Sequence, residues 1–249
     1  MLPRDRVIRR NRVRHLAVCR IGSYGTAPVT ATLGALRQFR PDLSKATIAI
    51  VGASGVIGAA LMLYFRARRD EIGKLMQFAR TKSRITESAD VVTILSSKEL
   101  AELAEADVVI FATSSEVPIV TAPNAHVFKQ GAVILDLAVP VDVAGEVIIA
   151  RPDIHLVRCG LIRLPGHARS PVDFHFGEVG VHQFFPACLA QGLLLASTGR
   201  YENASQGGGK AIDADLIDWF AEVGRQYGCR VHASIVDERG IWSGVSHGN

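Results

Sequence analysis

The 249 residues include 28 Lys and Arg against 24 Asp and Glu, a formal charge of +4. Seven arginines (Arg4, Arg6, Arg9, Arg10, Arg12, Arg14, Arg20) fall in the first 20 positions beside one acid, Asp5, leaving 21 basic and 23 acidic residues for the rest. The pI near 9.0 therefore belongs to an arm, which argues against a nucleic-acid-binding face spread over a folded body, while 48% apolar content argues against general disorder.

After a basic arm over residues 1–21, Gly22-Ser23-Tyr24-Gly25 reads as a turn. Thr26 to Arg40 reads as a helix with Leu33, Leu36 and Phe39 on one face, stopped by Pro41. Thr47 to Val51 is a short continuous apolar run, the mark of a strand buried on both faces. A helix from Val56 to Arg69 follows, then strands at Leu75 to Phe78 and Val91 to Leu95. A short helix at Lys98 to Leu103, a strand at Asp107 to Ala112, a helical turn at Asn124 to Lys129 and a strand at Ala132 to Leu137 continue the series. This βαβ rhythm predicts a doubly wound, mostly parallel α/β sheet of the Rossmann type.

Past residue 140 the rhythm loosens. Ile154 to Val157 reads as one more strand and Gly160 to Pro171 as a long loop. Helices at Val181 to Ser197 and Ala214 to Tyr227 flank the polar Asn203 to Lys210. The expected organisation is one domain over residues 22–249, with N- and C-terminal helices packed on the sheet and a helical extension from about residue 172. No apolar run reaches the roughly 18 residues that span a bilayer, and arginines interrupt any secretory apolar core. The arm is Arg-rich and acid-poor like a mitochondrial transit peptide, but it has no Ser. Cys19, Cys159, Cys188 and Cys229 show no CxxC spacing, so neither a zinc site nor a disulfide framework is expected, and a reducing cytoplasm is the expected compartment. A homo-oligomer stays open.

The clearest chemical signal is Gly52-Ala53-Ser54-Gly55-Val56-Ile57-Gly58, set between a buried strand and a helix. Gly52 allows a tight turn, Gly55 lets backbone approach a pyrophosphate, and Gly58 lets helix and strand pack closely. The amides of the helix start then face the phosphates. Ser54, Val56 and Ile57 complete the candidate loop. No Gly-Lys-Ser/Thr follows, so it is not a Walker A loop. An NAD site would place an acid after the second strand. Here Arg80, Thr81 and Lys82 stand there instead, a set suited to a 2′-phosphate, so the expected cofactor is NADPH. Thr113, Ser114 and Ser115 follow the fourth strand and Asp136 closes the next, all at the carboxyl edge where ligands bind in such sheets. For these a capping role and a ligand role both stand.

Cys188 lies in Phe184-Phe185-Pro186-Ala187-Cys188-Leu189-Ala190. Pro186 suits the first position of a helix, which puts Cys188 in a first turn, where the helix dipole lowers a thiol pKa. His182 and His175 lie upstream, with His182 the candidate proton donor. A small buried hydrophobe is the alternative fate of such a cysteine.

The strand–loop segment Thr47 to Gly58 resembles the nucleotide loop of the fatty acyl-carrier-protein reductases, which make aldehydes for alkane biosynthesis. Phe78-Ala79-Arg80 looks like that family's T/I-A-R, Asp136 and Pro140 match the outer residues of its D-G-G-Y-P, and Gly22 to Ala27 is similar to its G-N-T-H-T-A. Phe185-Pro186-Ala187-Cys188-Leu189-Ala190 is similar to its F-A-C-F-A-E, with Gln191 in place of the glutamate. The resemblance runs from about residue 20 to about residue 235. Ahead of it the family carries a long N-terminal portion, where this sequence has the short arm. It implies NADPH-dependent reduction of an acyl thioester, on an acidic acyl carrier protein or coenzyme A, to an aldehyde through an acyl group on Cys188. Two other readings keep the nucleotide and drop the thiol. One is a dehydrogenase acting directly on a small ketone or alcohol, as in shikimate-dehydrogenase-like proteins, and the other is a non-catalytic NADP-binding sensor or partner subunit. No Tyr-x-x-x-Lys of the short-chain dehydrogenases is present.

Overall fold

The computed structural model describes residues 25–79, 91–94, 99–165, 184–200, 214–237 and 242–244. In chain order the named elements are α1 (Thr26–Phe39), β1 (Thr47–Val51), α2 (Val56–Ala67), β2 (Lys74–Ala79), β3 (Val91–Ile94), β4 (Val108–Phe111), β5 (Val133–Asp136) and α3 (Val147–Ala150). They continue with β6 (His155–Arg163), β7 (Phe184–Pro186), α4 (Ala187–Thr198), α5 (Ala214–Gln226), β8 (Arg230–Val236) and β9 (Trp242–Gly244). Short 3₁₀ turns at Glu99–Glu105 and Ala122–Val127 replace full crossover helices after β3 and β4. No helix among the described residues is long and apolar enough to cross a membrane.

An apolar strand with no polar face needs a neighbour on each edge and cover on each side. β1 has both. It pairs in parallel with β2 on one edge and β4 on the other, and the sheet order is β3-β2-β1-β4-β5-β6-β8-β9. The first six strands are all parallel in the order 3-2-1-4-5-6, the doubly wound arrangement of dinucleotide-binding domains. The chain reverses its direction of travel across the sheet between β1 and β4, which opens a crevice at their carboxyl ends. Ile48, Ile50, Leu75, Val108, Ile110 and Leu135 point to one face, where Leu36 of α1 and Leu61 and Phe65 of α2 cover them. Ala49, Val51, Met76, Phe78, Val109 and Phe111 point to the other, beneath the 3₁₀ turns and α3.

Three elements depart from expectation. β6 continues through Gly160 to Arg163, where the sequence predicts a loop. Gly160 takes φ +87 at a register shift between Arg158 and Leu161, so a bulge absorbs the glycine without ending the strand. The helix expected from Val181 begins instead at Ala187. Phe184–Pro186 is extended and pairs antiparallel with the end of β6, and Pro186 precedes the helix as its N-cap. At the other side of β6 the chain returns as β8 and β9, both antiparallel. The C-terminal region is therefore part of the same sheet as well as helical. The basic arm, residues 166–183 and Asn203 to Lys210 lie outside the described residues.

Candidate functional site

Gly52 follows β1 with φ +88, a conformation that a side chain rarely adopts. Its amide and that of Ala53 donate to the Phe78 carbonyl (3.0 and 3.1 Å), which pins the turn on the end of β2. A Cβ at Gly52 would stand 2.6 Å from the Ala112 carbonyl oxygen and 3.1 Å from the Thr113 methyl. The glycine turn thus lies directly against the end of β4, at the crevice where the sheet switches direction. Gly58 has an equally strict reason. A Cβ there would meet the Gly52 carbonyl at 2.2 Å and the Ala53 Cα at 2.8 Å, so only glycine lets α2 start against the turn. Gly55, extended at the N-cap, donates to the Gly52 carbonyl (2.9 Å) and offers no side chain to cap α2. With no acid in the first turn, the amides and positive end of the helix dipole stay available to an anion. Ser54, Val56 and Ile57 are half-buried around this opening.

The loop after β4 is held by Asp142, a residue that no motif in the sequence marks. Asp142, fully buried, accepts the Thr113 hydroxyl at 2.6 Å and the Thr113 amide at 3.1 Å. Thr113 Oγ1 in turn accepts the Ser115 amide (3.1 Å), and Ser115 Oγ donates to the Val117 carbonyl (2.6 Å). Ser114 is exposed. Asp136 has turned inward. It is fully buried, with one carboxylate oxygen accepting the Ala138 amide (2.9 Å) and the other the amides of Asp142 (3.0 Å) and Val143 (3.1 Å). Of the two roles open to it, the geometry shows the capping one, folding the turn that contains the cis Val139–Pro140 bond. Burial pushes its carboxyl up to about 7, against the opposing pull of Arg158 and of the donating amides. Burial raises Asp142 as well, while Thr113 draws it down. Asp136, Arg158 and Ser234 are register partners across β5, β6 and β8, and Ser234 Oγ lies 2.9 Å from His232 Nε2. A buried polar row therefore crosses this face of the sheet. The only sequence signal for it is a second aspartate two residues beyond Pro140.

Cys188 is the second residue of α4 and is half-buried. Its expected activation by the helix start is overturned, because desolvation outweighs the backbone amides and pushes the thiol above its ordinary range. Its position is set by β7, which pairs with Leu161–Arg163, the part of β6 beyond the last partner of β5 at Arg158. The start of α4 therefore lies at the carboxyl edge, the edge that also carries the glycine turn. Gln191, one turn on, accepts the Ala27 amide at 3.1 Å and ties α4 to the first turn of α1. The start of α1 and the first turns of α4 thus meet in space. Arg80, Thr81, Lys82 and His182 lie outside the described residues, as does His175.

Residues 34–155 match the shikimate / quinate 5-dehydrogenase family. The matched stretch runs from within α1 to the start of β6 and contains the glycine turn, the Thr113 loop, Asp136 and Asp142. The chain has the mostly parallel α/β fold of a Rossmann-type NAD(P)-binding domain, the fold of dehydrogenases and reductases. Among solved structures it is similar to glutamyl-tRNA reductase from Methanopyrus kandleri, at 20% identity and TM-score 0.41 over 54% of this chain and 35% of that one. It is also similar to a dipicolinate synthase from Bacillus halodurans, at 21% identity and TM-score 0.43 over 56% of this chain and 48% of that one. A third is a D-isomer specific 2-hydroxyacid dehydrogenase from Xanthobacter autotrophicus Py2, at 16% identity and TM-score 0.36 over 47% and 57%. The chain spans between about a third and a half of the length of the first two. No curated protein matches it.

Proposed function

We propose that this protein is an NADPH-dependent reductase of an acyl thioester, releasing an aldehyde through an acyl group carried on Cys188. The observation behind this reading is the position of Cys188, at the head of α4 on the same sheet edge as the glycine turn. The residues of that turn suit a dinucleotide, since Gly52 and Gly58 let the turn pack tightly between the end of β4 and the start of α2, with the α2 amides at the opening. Arg80, Thr81 and Lys82 would hold the 2′-phosphate. In the proposed reaction Cys188 gives up its proton, its sulfur attacks the acyl carbonyl, and the carrier leaves as a thiol. Backbone amides at the start of α4 stabilise the oxyanion formed on the way. Bound NADPH supplies the hydride that converts the acyl group to aldehyde and frees the Cys188 sulfur. Because burial raises the thiol, His182 is the proposed base and proton donor for these steps. An acidic carrier protein would be steered by the arginines of the arm.

The family match favours a second reading. Its stretch ends at His155, before Cys188, and fits a dehydrogenase passing hydride directly to a small carbonyl. One experiment separates the two. Cys188→Ala should retain NADPH binding yet form no acyl-enzyme and oxidise no NADPH with thioesters of any chain length. Full thioester turnover by that variant would refute the covalent route.

A further inference from the structure

We infer that Asp142 is a positioning residue for the dinucleotide, setting the loop after β4 against the glycine turn. This rests on the nicotinamide-binding reading and adds to it a residue outside the glycine turn, on a different loop.

Three observations carry it. A buried carboxylate is costly unless its oxygens are satisfied, and both oxygens of Asp142 are given to one residue, Thr113, 29 positions away. Thr113 is the residue whose methyl borders Gly52 at the switch point of the sheet. Its hydroxyl passes the order on: it donates to Asp142 and accepts the Ser115 amide. The conformation of Thr113 to Ser115 thus follows from the carboxylate of Asp142, and that segment starts beside the glycine turn.

The backbone of Asp142 does a separate job. Its amide donates to Asp136 (3.0 Å), its carbonyl accepts the amides of Ile119 (2.7 Å) and Val120 (3.0 Å), and Val120 bridges Val143 in parallel. Those bonds lace the two loops together whatever the side chain is. Removing the carboxylate therefore frees Thr113 while the lacing stays. A merely structural aspartate would show itself in stability, and a positioning one in the affinity of the ligand that Thr113 borders.

The test titrates NADPH by its fluorescence into the wild type, Asp142→Asn, Asp142→Ala and Val133→Ala, the last a core truncation in β5 that serves as a stability control. We expect Asp142→Ala to raise Kd about tenfold, the scale of hydrogen bonds to a charged group. Asp142→Asn keeps one accepting oxygen and should fall between, and Val133→Ala should lower Tm with Kd unchanged to within about twofold. Amide hydrogen exchange should quicken at Thr113 and Ser115 and stay slow at Val120 in both Asp142 variants. Wild-type Kd in Asp142→Ala overturns the inference. So does a Val133→Ala variant that weakens NADPH as much at an equal loss of Tm. If Asp142→Ala does not fold, Asp142→Asn decides alone: wild-type affinity and wild-type exchange at Thr113 overturn it. A wild-type protein that binds neither NADPH nor NADH sinks the nicotinamide reading, and the inference with it, which is distinct from wild-type binding with unaltered variants.

Discussion

At the scale of single residues, two glycines and one cysteine make opposite points about what a local pattern determines. Gly52 and Gly58 are required by contacts only ångströms long, and those contacts are with residues at most a few positions away or at the adjoining end of β4. A methyl at position 58 would drive into the Gly52 carbonyl and the Ala53 backbone, neither of which can swing aside as a side chain can. Gly58→Ala should therefore cost about 1–3 kcal/mol of stability, the range for overpacked sites, and weaken NADPH binding as the turn opens. A thermal melt with a parallel NADPH titration checks both, and an unshifted Tm would show that α2 can move away freely. Cys188 is the contrary case. Its place in a first turn is legible from Pro186, but its protonation is not. The depth of the side chain in the fold exceeds the influence of the helix start, and the thiol moves up.

At the scale of elements, legibility follows burial on two sides. β1 is legible to the residue because Ile48–Val51 is an unbroken, fully buried apolar run, and β4 and β5 are legible to within one residue from the similar runs Val108–Phe111 and Val133–Leu135. β8 is not. Its Val231, Ala233 and Ile235 alternate with His232 and Ser234, but that polar pair is buried too, so the antiparallel partner β6 and not an apolar run marks the strand. The boundary of α4 differs because Phe184–Pro186 finds an edge on the overhanging end of β6, a partner that does not exist locally. α4 is also where an element-level bond can be tested. Gln191 accepts the Ala27 amide, one of the four amides that α1 cannot satisfy internally, and the contact is buried. Gln191→Ala should lower stability by about 1–3 kcal/mol, the cost of a buried unsatisfied donor. Urea denaturation measures it, and a loss below about 0.5 kcal/mol, typical of a surface substitution, would mean that α1 holds its start without α4.

At the scale of the whole molecule, the polar row from half-buried Thr113 through Asp142, Asp136 and Arg158 to Ser234 joins the loop after β4 to β5, β6 and β8. It has a pH signature. The Asp136 carboxyl rises from 3.8 to about 7 on folding, so between those values the folded state binds a proton that the unfolded state does not. Stability from this group is therefore greatest at or below about pH 4, falls as pH rises, and levels off above about pH 7. Asp136→Asn removes that dependence. The stability difference between the wild type and Asp136→Asn should shift in favour of the variant as pH rises from about 4.5 to about 7, read from denaturation curves at each pH. A constant difference would place the Asp136 carboxyl in the ordinary range.

What the amino-acid order determined by itself was the local and the repetitive: strands hidden on both faces, helices between them, and glycines spaced for a turn with no room for side chains. These follow from contacts near in sequence and from a burial pattern that repeats. The tertiary structure alone decided what the polar residues at the carboxyl edge do. Asp136 and Asp142 became loop clamps and Cys188 a raised thiol, because burial and partners as far as 29 positions away set the energy of a charge, and no window of sequence contains them.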